Sequence, residues 1–153
     1  MDANKEKIER LLTEAKNFCV LNGTKFTKLR RLILETLILS SGPLKAYDLI
    51  ESLREKGFRL SPSTVYRILE FFIQNGLVHR VDTLNAFVAC SDAPSHRHNP
   101  LFLVCPDCQE TNEINDESLY TTIFNRLGAL GFPVEGGSVE VRGLCNKCAN
   151  KKK

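Results

Sequence analysis

The sequence predicts a two-domain α/β chain, an N-terminal winged helix-turn-helix followed by a small α/β domain of β-α-β type. Three observations carry that expectation. Four apolar stripes at helical spacing, each closed by a glycine-containing stop, fill the first half of the 153 residues and lead into a two-strand pattern. The fourth helix has capping signals at both ends. The second half shows a strand, a helix and a strand, with one C-x-x-C pair after the first strand and another after the last.

In the first helix Ile8, Leu11, Leu12, Ala15, Phe18 and Cys19 share one face, and Asn22-Gly23 ends it. Cys19 lies on that stripe and is expected to be a buried small hydrophobe. Thr27 is the N-cap expected for a second helix carrying Leu29, Leu32, Ile33 and Leu37, closed by Ser40-Ser41-Gly42. A third runs from about Ala46 to Lys56 and stops at Gly57. In the fourth, Ser61 caps, Pro62 takes the first helical position and Asn75-Gly76 terminates. Its buried stripe is Val65, Ile68, Leu69 and Phe72; Ser63, Arg67, Glu70 and Gln74 lie opposite. LVHRV, a turn at Asp82–Asn85 and AFVAC then form a β-hairpin. Beyond residues 91–99, LFLVC reads as a strand, DESLYTTIFNRLGALG as a helix and SVEVRGLC as a half-buried strand. The expected boundaries are 1–90 for the winged helix, 91–99 for a hinge loop and 100–153 for the α/β domain. A unit that small has a thin core and needs metal, a partner subunit or both.

Charge separates the halves. Residues 1–81 carry 14 Lys and Arg against 9 Asp and Glu, a balance of +5; residues 82–153 carry 7 against 9, a balance of −2. A nucleic-acid face would therefore lie in the first half, although +5 also suits a solvated surface. MDANKEKIER lacks a basic lead into an apolar core, and no apolar run approaches the ~18 residues of a membrane span. The expected compartment is the cytoplasm, where paired cysteines hold metal more often than they form disulfides. In a winged helix the capped last helix enters the major groove with its N-terminal residues nearest the bases. Ser63, Thr64, Tyr66 and Arg67 are thus candidates for DNA contact, and the Arg67 fork matches the two acceptors of guanine.

Cys105-Pro106-Asp107-Cys108 and Cys145-Asn146-Lys147-Cys148 are two knuckles whose four thiolates complete a closed tetrahedral zinc site. The 36 residues between them make the site a tie from the start of the β-α-β unit to its end. With no open coordination position its role is structural. Cys90, His79, His96 and His98 remain, one thiol and three imidazoles within 20 residues, and the hairpin brings His79 and Cys90 together. Glu113, five residues past Cys108, adds a carboxylate from the neighbouring strand. Such a mixed set suits zinc, since a thiolate disfavours magnesium or manganese and an all-nitrogen-and-oxygen set would better suit iron. Because His79 and Glu113 belong to different domains, metal binding is expected to set the angle between them.

In AYDLIESLRE, STVYRILEFFIQNGLVHRV, the Cys90 loop, CPDC and GLCNKC, the chain resembles the ferric uptake regulator (Fur) family, most of all its zinc-uptake branch. The resemblance spans about Ala15 to Cys148. It implies a homodimeric repressor whose C-terminal domain dimerises and whose zinc-loaded form binds operator DNA of zinc-uptake genes. It implies two zinc ions per chain, no membrane partner and no small-molecule substrate. Cys105, Cys108, Cys145 and Cys148 match the structural site; His79, Cys90, His98 and Glu113 match the regulatory site. His98 keeps the family's spacing of seven residues to the first knuckle cysteine, whereas His96 fits its proline-x-histidine pattern and is the alternate ligand. Tyr47 and Arg67 match base-contacting positions. Where relatives commonly read T-P-x-R, this chain has Thr27-Lys28-Leu29-Arg30, and the H-x-H-H run of iron sensors is reduced to His96-Arg97-His98. A Fur-family regulator of iron, manganese, nickel or peroxide is the alternative. An enzyme is not expected: a Cys90–His79 nucleophile pair lacks an orienting third residue, and no H-x-E precedes CPDC.

Overall fold

The apolar stripes of the first four helices converge on one core. The computed structural model describes residues 2–91, 99–135 and 137–151, and the chain divides into two units, Met1–Arg97 and His98–Lys153. In the first unit α1 (Asp2–Leu21), α2 (Lys28–Leu39), α3 (Ala46–Glu55) and α4 (Pro62–Gln74) precede the strands β1 (Val78–Val81) and β2 (Ala86–Ala89). Leu12 and Ala15 of α1, Ile33 and Leu37 of α2, Leu49 and Leu53 of α3, and Val65, Leu69 and Phe72 of α4 form the core. Burying each Leu, Ile or Phe contributes about 1.5–3 kcal/mol, so this cluster is the main support of the unit. Cys19 is buried on the α1 stripe, as its spacing predicts.

The capping signals of α4 are realised. Ser61 Oγ accepts from Thr64 N–H (3.3 Å), and Pro62 occupies the first turn, where its missing N–H costs nothing. At the other end Gly76 adopts φ +69°, a left-handed conformation that strains any residue with a Cβ. Thr27 caps α2 in the same manner, accepting from Arg30 N–H (3.2 Å).

β1 and β2 pair antiparallel, with His79 opposite Val88 and Arg80 opposite Phe87. The turn between them is a single 3-10 turn closed by Asn85 at φ 48°. Arg80 braces it, 3.0 Å from an Asp82 carboxylate oxygen and donating to Asn85 Oδ1 (3.0 Å). Leu44, just before α3, exchanges two backbone hydrogen bonds with Phe87 (2.9 and 2.8 Å) and pins the hairpin to the helices. This is a winged helix-turn-helix.

The second unit contains β3 (Leu101–Val104), β4 (Thr111–Ile114), α5 (Glu117–Ala129), β5 (Val139–Arg142) and α6 (Asn146–Lys151). β3 is central, parallel to β5 and antiparallel to β4. The expected β3-α5-β5 outline is present, with β4 added at one edge. T-N-E-I has one strongly apolar residue and no alternation to announce a strand; its register comes from the first knuckle, which turns the chain back on β3. The short α6 grows out of the second knuckle.

The core here is thin. Leu101, Phe102 and Val104 are buried, but Leu103 and Val141 are 41% and 46% exposed, and among the described residues α5 buries none of its own. α5 is held at its start by Asp116, which accepts from Leu119 N–H (2.9 Å) and from the Ser118 hydroxyl (2.8 Å). The Leu119 N–H, then the Ser118 hydroxyl, hold the Asp116 carboxyl below its ordinary 3.8. A carboxyl depressed on folding adds stability above its unfolded value and loses it as pH falls through the folded one. Amide protection in the first turn of α5, taken relative to the intrinsic exchange rate at each pH, is therefore expected to fall below about pH 4, and Asp116→Asn should keep the helix while removing most of that acid response.

Candidate metal centre and nucleic-acid interface

The two knuckles of the second unit meet. Cys105 follows β3 and Cys108 ends a tight turn, in which Gln109 N–H returns to the Cys105 carbonyl (2.9 Å) and Cys105 N–H reaches Glu110 (2.9 Å). Gln109 takes φ 62° to close it. Parallel pairing of β5 with β3 then delivers Cys145 and Cys148 to the same place, with Gly143 N–H on the Val104 carbonyl (3.1 Å). All four sulfurs lie within 4.8 Å of one another, and Cys108 Sγ and Cys145 Sγ are 3.6 Å apart. A disulfide would need about 2.05 Å. A tetrahedral zinc ion with Zn–S near 2.3 Å puts its sulfurs about 3.8 Å apart, so the quartet has the dimensions of a zinc site.

As thiols alone the four hold their protons unequally. Backbone hydrogen bonds from Cys145 and then Cys108 bring Cys105 down to about 6. Cys148 is pushed up to about 12, first by sharing its proton with the Cys108 sulfur and then by burial. Cys108 is also raised: the backbone hydrogen bond from Glu110 lowers it, but burial and the Cys145 side chain outweigh that. One thiolate is favoured and its neighbours resist joining it. A divalent cation reverses the balance, because its charge is shared by all four. Cys105 and Cys148 are buried, Cys145 half-buried and Cys108 exposed, so the site is seated in the fold and open on one side.

The second group of candidate ligands begins in the first unit's hairpin. His79 pairs with Val88, and Cys90 lies two residues beyond Val88, so thiol and imidazole share one face as diagonal neighbours. Cys90 N–H donates to the Leu77 carbonyl (3.0 Å), which carries the hairpin pairing one residue past β2. A His79 ring nitrogen and Cys90 Sγ lie within 4.8 Å of each other; Cys90 is buried and His79 half-buried. In the second unit Glu113 sits on β4 opposite Phe102 and is half-buried. His96 and His98 lie outside the described residues.

The expected DNA-facing residues are mostly presented to solvent. Ser63 and Arg67 are exposed on α4, Tyr66 is 52% exposed, and Tyr47 near the start of α3 is 75% exposed. Tyr66 is steadied by an edge-on contact with Phe87, ring centroids 6.5 Å apart. Thr64 differs: it is half-buried, with its hydroxyl 2.8 Å from that of Ser61, and serves the cap. Lys45 and Arg59, which belong to none of the motifs above, are exposed just before α3 and the α4 cap. Their signal is a basic residue directly upstream of a helix start.

Among the described residues no helix is long and apolar enough to cross a membrane. The family model of the ferric uptake regulator family matches residues 21–142. The zinc uptake regulation protein of Escherichia coli (strain K12) is 30% identical over 144 residues, covering 94% of this chain and 84% of that protein. The crystal structure of holo XcZur shares 36% identity and a TM-score of 0.79, over 91% of this chain and 96% of that one. A zinc uptake regulator complexed with zinc and DNA shares 29% identity and a TM-score of 0.84, over 95% and 97%.

Proposed function

Because the chain belongs to the ferric uptake regulator family, we propose that it is a zinc-responsive transcriptional repressor of zinc-uptake genes, not an enzyme, acting on operator DNA in the cytoplasm. The observation that carries the zinc reading is the buried Cys90 thiol beside His79 in the wing. A soft thiolate next to an imidazole selects zinc over the harder divalent ions. Likeness to proteins named for zinc uptake regulation, one of them complexed with zinc and DNA, supports the same reading.

On this reading each chain holds two zinc ions. Cys105, Cys108, Cys145 and Cys148 hold the structural one; His79, Cys90, His98 and Glu113 hold the regulatory one, with His96 as the alternate to His98. The exposed apolar residues Leu103, Val141 and Leu144 support pairing of the second unit with a second copy, since a small unit that leaves such residues wet gains by covering them. Two copies present two α4 helices to two half-sites. Arg67 reads guanine, Tyr47 contacts bases from the start of α3, and Ser63, Thr64 and Tyr66 lie in the first turns of α4.

A duplex selected from random-sequence DNA by the zinc-loaded protein supplies the test. Arg67→Ala is expected to weaken binding to that duplex by about 1–3 kcal/mol, the worth of a bidentate base contact, and to relax preference at a guanine. Equal affinity of variant and wild type, with unchanged preference, would place the reading helix elsewhere.

A further inference from the structure

Arg30 lies in the first turn of α2, in the stretch Thr27-Lys28-Leu29-Arg30, and is not among the residues assigned above to a metal site or to the DNA face. Its guanidinium carbon lies 3.5 Å from the centroid of the Phe71 ring. Nη1 of the same group donates to the carbonyl of Lys25, in the loop before α2. The Arg30 backbone N–H is held by the Thr27 cap. One side chain thus ties the loop at 25–27, the start of α2 and the ring of Phe71 together.

Phe71 belongs to α4, four residues beyond Arg67 and hence one turn along on the same flank. It is not on the fully buried stripe of Val65, Leu69 and Phe72 but leans against that core, its ring 5.7 Å from that of Phe72. A helix anchored along one stripe can still roll about its axis. A stacked cation on its flank opposes that roll, and the flank held here carries Arg67. Arginine suits the task because its plane stacks while its edge still donates.

We propose that Arg30 is a positioning residue for DNA readout: stacked on Phe71 and tied to Lys25, it fixes the rotation of α4 so that Arg67 meets its base in one orientation. The proposal rests on the DNA-binding function above. It assigns Arg30 no contact with DNA, which makes it separable from a phosphate-binding arginine.

The variants are Arg30→Gln, Arg30→Lys and Phe71→Leu in the full-length zinc-loaded chain. Hydrogen exchange on the free protein is expected to quicken in the first turn of α2, at the residue 30 and Arg31 amides held by Thr27, and along α4 in both Arg30→Gln and Phe71→Leu, with zinc content unchanged. Affinity for the selected duplex should fall roughly 3- to 30-fold, the range of a partly buried cation–π contact. Affinity for a scrambled duplex and the salt dependence of binding should stay as in wild type. Arg30→Lys should recover part of the loss, and the Arg30→Gln/Phe71→Leu double variant should be no weaker than the weaker single. A salt slope lower by about 0.9 with both duplexes weakened alike would make Arg30 a phosphate contact and overturn the proposal, as would unchanged exchange. Should the wild type bind no duplex, the repressor reading fails, and exchange on the free protein still decides whether the clamp exists.

Discussion

Cys148→Ser is expected to strip the proposed structural zinc and unfold the second unit while the first stays folded. Cys148 is buried at the start of α6 and joins the second knuckle to Cys105 and Cys108 across the 36 residues between the knuckles. The sheet it braces has three buried apolar residues in its central strand and a helix that buries none of its own. Structural zinc sites contribute folding energy outright, and here the core is too thin to replace it. The variant should contain about one zinc ion fewer per chain and lose amide protection across β3, β4 and β5. Helical signal from α1–α4 should persist with its own unfolding transition. Acid should mimic the variant, since protons compete with zinc for all four sulfurs. A protected β3–β5 sheet in zinc-free Cys148→Ser would show that packing alone supports the unit.

Cys90→Ser should act in the opposite sense, sparing the fold and removing the response. The Cys90 main chain is already committed, its N–H on the Leu77 carbonyl, and serine keeps the shape while replacing a soft thiolate by a poorly ligating hydroxyl. Quartet zinc should stay and the readily chelated zinc should go. The free zinc needed for half-maximal DNA binding should rise by more than about 100-fold, beyond the 10- to 100-fold typical of disturbing a ligand's supporting shell. Wild-type zinc dependence in Cys90→Ser would remove Cys90 from the regulatory set.

The two proposed centres also differ in how plainly the amino-acid sequence announces them. Paired cysteines declare themselves by spacing, and the parallel β3–β5 register that unites them follows from a strand–helix–strand pattern with apolar ends. The α4 cap is equally legible, because Ser61, Pro62 and Gly76 each have a stereochemical reason to stand where they do. β4 is not. Thr111–Ile114 has no periodicity of its own and is made a strand by the knuckle that folds it onto β3. The hydroxyl of Thr64 lies 2.8 Å from that of Ser61, a contact that its place in the first turn does not by itself announce. Arg30 on Phe71 leaves no trace in the sequence, since it joins residues 41 positions apart through a ring that reads as ordinary packing. His79 and Cys90 are legible as neighbours through hairpin alternation alone.

Operator binding at buffered free metal, zinc against ferrous iron, tests the central claim most directly. With the selected duplex and quartet zinc in place, buffered zinc should drive tight binding, chelation should release the DNA, and ferrous iron should leave affinity at the chelated level. Restoration by iron and not by zinc would contradict the zinc-responsive reading and make this chain an iron-responsive member of the family.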